Sequence, residues 1–511
     1  MNILVIRTHR LGDILQLTPM LGGLKRRYPD STIYVLTGTD YTPLLEGNPC
    51  VDAIIPFPEK EYRYALKKEP DRYPSLFNAC HDLIGELRRI GFDLIINRQY
   101  EWGARFASLV GGPHIVGGAY APERGFYFDD QPSRELVDVV KGDRRKNRRN
   151  LVDWACRIAG LPPDDDRRMC LPVGSTARRE AQRFIDSARS DGERSLVAVQ
   201  AGAARSFRQW GTDNFAEVIG RLINENGKRV VLIGSEDERD LFTIRRNGMG
   251  GEERNLINLM GKTSLKITGA VLERCELLIT GDTGPMHMAA AVGTPVLSLF
   301  FGTAYPWETG PYGNGHFILY ADLPCAPCLD PARCERGHLC KAVMTPSVVM
   351  DAFAAFEAFR SGGAVGPDCV SPPVRLLATS RDAYGEQVLV PAEQLAGGVP
   401  ERGLWIDDGL DGEYLPAILR VRGDGIIRSF MEGENERGFT DFAAYLEEWF
   451  TLRRTALSHG DEGLESTEEL MNNCLEALRS RDTVVLTDAV EHLFNPWLEQ
   501  FSHESCNANH R

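Results

Sequence analysis

Short β-branched and aliphatic runs recur through the first 360 residues, each separated from the next by enough chain for one helix. The runs at 2–6, 32–36, 53–57, 93–96 and 114–116 are strand length, and the segments between them are amphipathic. This alternation predicts parallel β/α units. A Pro- and Asp-rich linker begins at Leu161-Pro162-Pro163, includes the acidic triplet 164–166, and runs on to Pro172-Val173-Gly174. The triplet reads as a solvated loop rather than a carboxylate metal site. The pattern then restarts with runs at 195–200, 229–233, 255–259, 277–280 and 295–300. Two doubly wound domains in tandem, 1–172 and 173–360, place a cleft between the carboxyl ends of their strands, where ligands bind in this architecture. After a Gly- and Pro-rich stretch at 361–373 the pattern changes. Residues 387–390, 404–407, 417–421 and 425–430 suggest a small antiparallel sheet. Helical stripes follow at Phe442, Tyr445, Leu446 and Trp449, and at Leu486, Val490, Leu493 and Trp497, with Pro496 ending the last helix. Residues 361–511 are thus expected to form a separate α+β extension.

Two β-to-α loops carry the candidate chemistry. In Thr280-Gly281-Asp282-Thr283-Gly284-Pro285-Met286-His287, Thr283 suits an N-cap and Pro285 the first helical turn. Unpaired N–H groups and the helix dipole at such a place favour an anion of phosphate size. A tight turn without a ligand is the alternative. The second loop, Arg7-Thr8-His9-Arg10-Leu11-Gly12-Asp13, joins the first strand to a helix expected over 14–27. It lacks the glycine fingerprint of a dinucleotide site. Asp13, at the mouth of an interdomain cleft, could accept a proton from an attacking hydroxyl; otherwise it caps its helix.

Charge sharpens the division of the chain. Of the net −14, residues 361–511 hold 27 acidic residues against 12 arginines and no lysine, whereas the first 360 are near neutral. Within that body Lys141, Arg144, Arg145, Lys146, Arg148 and Arg149 cluster in nine residues. They form a solvated helix face or a surface for an anionic acceptor or lipid head groups. No interleaved aromatics or recognition motif accompany them, so nucleic acid is not expected. No apolar stretch is long enough for a bilayer and the N-terminal segment does not read as a signal peptide, so a cytoplasmic location is expected. Twelve cysteines in such a chain argue against a disulfide framework. Cys325, Cys328, Cys334 and Cys340, with His338 nearby, have residue types that suit a structural zinc site; reduced thiols or a redox-sensitive loop are the alternatives.

Taken in order, several motifs resemble the family 9 glycosyltransferases, the ADP-heptose lipopolysaccharide heptosyltransferases. They are Leu11-Gly12-Asp13 with Thr18-Pro19, Leu44-Leu45-Glu46-Gly47-Asn48-Pro49 with Val51-Asp52, Gly202 to Trp210, Gly281 to His287, Gly293-Thr294-Pro295, and Thr309-Gly310-Pro311-Tyr312-Gly313. The resemblance spans roughly residues 1–355 and implies a GT-B fold of two Rossmann-like domains, an N-terminal acceptor domain and a nucleotide-sugar donor domain. It implies inverting transfer from ADP-heptose with Asp13 as general base. It also implies a donor site formed by Arg208, Glu238, Asp282, Thr283, Gly284 and His287, with Glu238 near the ribose and adenine. The second domain has no convincing D-x-D motif, so helix N-terminus and basic side chains, rather than a metal cofactor, are expected to meet the diphosphate. Two positions depart from the family pattern: Arg208 stands where many members have lysine, and Ala203 and Ala204 where hydroxyl residues are common. Arginine keeps the charge but presents a planar fork.

The expected activity is heptose transfer to a lipopolysaccharide inner-core or related glycan acceptor, with the enzyme peripheral on the inner face of the cytoplasmic membrane. Arg7, Arg10, Arg144, Arg145 and Arg148 are the expected acceptor contacts. Alternatives keep the fold with another nucleotide sugar or a protein acceptor such as a flagellar one, or a non-catalytic sugar-nucleotide-binding scaffold whose acidic tail recruits a protein partner.

Overall fold

Eleven of the expected runs, the one at 387–390 included, form strands within a few residues of their expected limits, and the way they pair puts both candidate loops at the centres of sheets. The computed structural model describes residues 1–99, 101–142, 144–162, 167–187, 194–203, 205–238, 255–328, 334, 336–366, 369–382 and 385–397. The chain divides into two compact units, Met1–Glu401 and Arg402–Arg511. The strands expected at 404–407, 417–421 and 425–430, the helical stripes beyond residue 440, the acidic triplet 164–166 and Ala204 lie outside the described residues.

The first sheet holds β1 (Asn2–Ile6), β2 (Thr32–Gly38), β3 (Ala53–Phe57), β4 (Leu94–Asn97), β5 (Ile115–Ala121) and β6 (Gly125–Phe128), in the order β3-β2-β1-β4-β5-β6. All neighbours are parallel except the β5–β6 pair. β1 is buried from Ile3 to Ile6 because helices cover both faces. Its parallel partners on either side are β2 and β4, with Ile3 opposite Ile33 and Leu94. The chain leaves β1 toward β2 and later returns to β4, so the β1 loop sits at a topological switch point. The helix expected over 14–27 is two: α1 (Leu11–Leu15) and α2 (Thr18–Arg27). Pro19 at the start of α2 cannot donate into a continuous helix, and the Thr18 hydroxyl bonds the Leu15 carbonyl at the break, 2.7 Å away. Beyond β3, α3 (Glu59–Lys68) and α4 (Tyr73–Ile90) form a hairpin, and α5 (Leu151–Ile158) leads into the linker.

The second sheet contains β7 (Leu196–Gln200), β8 (Arg229–Leu232), β9 (Leu256–Asn258), β10 (Leu277–Gly281), β11 (Val296–Phe300), β12 (Phe317–Ala321), β13 (Val374–Arg381) and β14 (Gln387–Pro391). Their order is β14-β13-β12-β11-β10-β7-β8-β9, and the switch point falls between β7 and β10. The loops after these two strands therefore open on the same crevice. The turn after β10 leads into α6 (Gly284–Val292), whose close packing its Ala-rich sequence allows; it ends at Gly293, φ 83°, a left-handed cap.

The sheet runs past residue 360. β13 pairs antiparallel with β12, and β14, expected to join the acidic extension, pairs with β13. A buried network ties this edge to the first half. The Asp153 carboxylate on α5 accepts from Arg167 at 2.5 Å, from the Tyr312 hydroxyl at 2.6 Å and from the Gln387 N–H at 3.0 Å.

Candidate functional site

Loop 7–13 and the turn 280–287 face each other with no intervening side chain. A Cβ at Gly12 would stand 3.0 Å from His287 Nε2 and closer still to its Cδ2, and one at Gly284 would stand 3.2 Å from Leu11 Cδ2. Glycine at both places permits α1 and α6 to meet. Arg10, the residue before α1, has φ 67° and ψ 114°, a conformation that side chains other than glycine rarely adopt. Asp13 lies in the first turn of α1, three residues after this N-cap position, so it does not cap the helix. Its carboxylate is paired with Arg7, whose guanidinium also donates to the Arg98 carbonyl. Asp13 is also near enough to favour the charged form of His287 across the crevice.

The second lip is built by Gln200, a residue that stood out in the sequence only as the polar end of an apolar strand. It is buried, with its Oε1 accepting from the Thr280 hydroxyl at 2.8 Å and the Thr283 hydroxyl at 2.9 Å, while Nε2 donates to the Gly202 carbonyl at 2.6 Å. Thr283 occupies the N-cap position of α6 with extended backbone, but its side chain makes no capping bond. Thr283 thus takes the expected N-cap position, while its hydroxyl is bonded to Gln200 of β7. The first turn of α6 is left without a side-chain cap. His287 is 6% exposed, and its Nδ1 is buried with no partner. Burial holds this imidazole neutral down to about pH 4, outweighing the pull of Asp13.

Asp282 and Arg208 complete the lip. Arg208 Nη1 donates to Asp282 Oδ2 at 3.0 Å, and its Nε is buried without a partner. Burial raises the Asp282 carboxyl above its ordinary range; Arg208 and the Thr309 hydroxyl oppose that shift, and Asp13 and Glu308 reinforce it. Several acidic groups thus share the crevice with cationic side chains that can be redirected to an incoming anion. Glu238, farther along, turns its carboxylate onto the Ser235 N–H at 3.0 Å and packs on Gly202 and Gly234, where a side chain would collide with it. With Ala201, Gln209, Gly211, Thr212 and Met260 it lines a small recess beside the turn.

The structure also assembles a group that no local signal in the sequence marked. The buried Glu59 at the start of α3 accepts from the Thr8 hydroxyl and from Arg63, and lies 3.5 Å from His9 Nδ1. Gln99 donates to the same imidazole nitrogen at 2.6 Å. Burial and then Arg7 lower the His9 pKa, with Glu59 and Asp13 acting in the opposite sense. These partners come from separate loops, and only the sheet topology brings them together.

One expectation is corrected. The cluster at 144–149 is a seam between the halves rather than an open basic face. Arg144 donates to Glu308 at 2.9 and 3.0 Å and to the Thr303 carbonyl at 3.2 Å; Arg145 reaches the Pro324 carbonyl; Arg148 bonds the Tyr305 hydroxyl at 2.6 Å and lies over the Trp307 ring. Arg149 pairs with Glu386 at 2.9 Å. Cys325, Cys328, Cys334 and Cys340 lie near enough that neighbouring thiols, after burial, push up the pKa values of Cys328 and Cys340. Among the described residues, no group of three or more His, Cys, Asp or Glu is placed to hold a metal, and the ten cysteines there are free thiols. Cys334 Sγ accepts from the His338 N–H at 3.3 Å, and Cys340 is buried with a hydrogen bond from Gly302.

Two doubly wound halves with their strand ends on one crevice, a carboxylate on one lip and an anion-ready turn on the other, form the GT-B architecture. The model of glycosyltransferase family 9 (heptosyltransferase) matches residues 80–338, and the chain belongs to that family. It is 28% identical over 305 residues to lipopolysaccharide heptosyltransferase 3 of Escherichia coli, covering 58% of this chain and 84% of that one. Among solved structures, a family 9 glycosyl transferase from Veillonella parvula superposes with TM-score 0.56 at 21% identity, over 70% of this chain and 96% of that one. The E. coli ADP-heptose lipopolysaccharide heptosyltransferase II gives TM-score 0.52 at 22% identity, over 71% and 100%.

Proposed function

We propose that this enzyme transfers a heptose from ADP-heptose, with inversion and without a metal, to a hydroxyl of a lipopolysaccharide inner-core or related surface-glycan acceptor. The observation that carries the reading is the apposition of Asp13 to the turn 280–287. The acceptor hydroxyl attacks the anomeric carbon, the bond from that carbon to the diphosphate oxygen breaks, ADP leaves, and Asp13 takes the hydroxyl proton. Arg7 orients the carboxylate. The first-turn N–H groups of α6 and the Arg208 guanidinium meet the diphosphate charge as it develops. Neutral His287 adds a hydrogen-bonding nitrogen without competing charge, Asp282 holds donor-sugar hydroxyls once Arg208 turns to phosphate, and Glu238 faces the ribose and adenine. Arg10 and Arg7 are the acceptor contacts retained at the crevice.

The acceptor side also offers a membrane contact. No helix among the described residues is long and apolar enough to cross a membrane. The hairpin of α3 and α4 leaves Tyr64, Leu66, Tyr73 and Phe77 exposed beside the exposed Lys67 and Lys68, a composition suited to an anionic lipid surface. Glu59 at the other end of α3 holds the Asp13 loop.

The test is turnover with ADP-heptose against ADP-glucose and UDP-sugars on a truncated core acceptor, with the product anomer assigned by NMR. Transfer from ADP-heptose with inverted configuration is the expected result. Preference for another donor, or retained configuration, would overturn the assignment.

A further inference from the structure

We infer that Gln200 is a positioning residue that keeps the N-terminus of α6 open for the donor diphosphate by holding the Thr283 hydroxyl away from it. The inference rests on the donor reading above and adds a residue and a device to it.

A threonine at an N-cap ordinarily turns its hydroxyl onto the N–H two or three residues ahead. In α6 the position two ahead of Thr283 is Pro285, which has no N–H, so Met286 is the one available donor. The Thr283 backbone already has the extended conformation of a cap, φ −141° and ψ 169°, yet the side chain bonds Gln200 instead. Gln200 can hold it because three bonds fix its own amide: two hydroxyls on Oε1 and the Gly202 carbonyl on Nε2. The Thr280 and Thr283 hydroxyls are also 3.0 Å apart, closing a small, partly buried polar cluster. The same amide therefore couples the loop after β7 to the turn after β10. Had the hydroxyl capped Met286, the phosphate would have to displace it. His287, the residue after Met286, has a buried Nδ1 with no partner, a second polar group early in α6 left for a ligand.

The experiment compares the full chain with Gln200→Leu, Thr283→Val and the double variant. Two readouts are used: amide hydrogen exchange at Met286 without ligand, and ADP affinity with the donor KM and kcat. In Gln200→Leu the freed hydroxyl caps the helix. Met286 protection then rises about fivefold, and ADP affinity falls about tenfold with KM raised and kcat little changed. Thr283→Val alone leaves Met286 exchange within about twofold, since its hydroxyl was not capping, and its own ADP affinity serves as the baseline for the double variant. The double variant, with no hydroxyl left to cap, regains fast Met286 exchange and the ADP affinity of Thr283→Val. A merely structural Gln200 would give additive losses instead, and a double variant as weak as Gln200→Leu overturns the inference. So does unchanged Met286 exchange in Gln200→Leu. Failure of the wild-type chain to bind ADP would sink the donor reading, while the exchange data would still decide the capping. If the leucine variant does not fold, Gln200→Asn, one methylene too short to span to Thr283, serves the same comparison.

Discussion

Gly12→Ala is the sharpest steric probe of the contact between the two lips. The added methyl would stand 3.0 Å from His287 Nε2 and 3.3 Å from Cγ, with Cδ2 nearer. Carbon atoms in ordinary contact sit about 3.5–4.0 Å apart, so the ring or α1 must retreat by roughly 1 Å. Gly12 is helical with no positive φ, so sterics and not backbone freedom decides the outcome. Overpacking of this kind costs about 1–3 kcal/mol of stability. The effect on turnover is larger, because a displacement of about 1 Å of reacting groups costs on the order of 100-fold in rate. The assay is ADP release in a coupled spectrophotometric reaction, with Tm measured alongside. Gly85→Ala is the control: it lies in α4 with nothing within 4 Å of the new methyl, and should leave turnover unchanged while adding about 1 kcal/mol of stability. If Gly12→Ala keeps kcat/KM within threefold of Gly85→Ala, the two loops do not work as apposed lips.

Other consequences can be measured separately. Asp153→Asn leaves Arg167 buried opposite a neutral amide, so urea denaturation should show about 3–5 kcal/mol lost; a change under 1 kcal/mol would mean the network contributes little to joining the halves. His287 has a folded pKa near 4 against an ordinary 6.5. The stability its neutral form provides is therefore complete above pH 6.5 and declines as pH falls toward 4, by up to about 3 kcal/mol. His287→Asn should flatten that part of the stability profile, and a parallel profile would refute it. Leu66→Ser with Phe77→Ser should reduce cosedimentation with phosphatidylglycerol vesicles severalfold while leaving turnover of a lipid-free acceptor intact; equal sedimentation rules out the hairpin as the membrane contact.

The periodic signals carried most of the fold. The run at 2–6 was visible because both faces of a central parallel strand are buried and residues 3–6 are all apolar. β6, β12 and β13 were not: β6 is a short strand folded back on β5, and β12 and β13 pair antiparallel across more than 50 residues of chain. β14 shows the same limit in another form: its residues read correctly as a strand, but the neighbour that receives it is set by tertiary packing. In the site, Asp13 and the turn 280–287 were visible as β-to-α loops. Gln200, Glu59 and Gln99 were not, because a single polar residue at the end of an apolar run has no periodicity to announce its partner. The arginines at 144–149 show the reverse case, a conspicuous charge run whose partners, Glu308, Tyr305 and Glu386, lie more than 150 residues away in sequence.

The central claim is that Asp13 removes the acceptor proton while the opposite lip holds the donor, and Asp13→Asn separates the two. Calorimetry should give the same ADP affinity for variant and wild type, since the turn 280–287 is untouched. Steady-state transfer from ADP-heptose to the acceptor should fall by about 10²–10⁴-fold. Equal turnover in the two proteins, with ADP bound alike, would contradict the account.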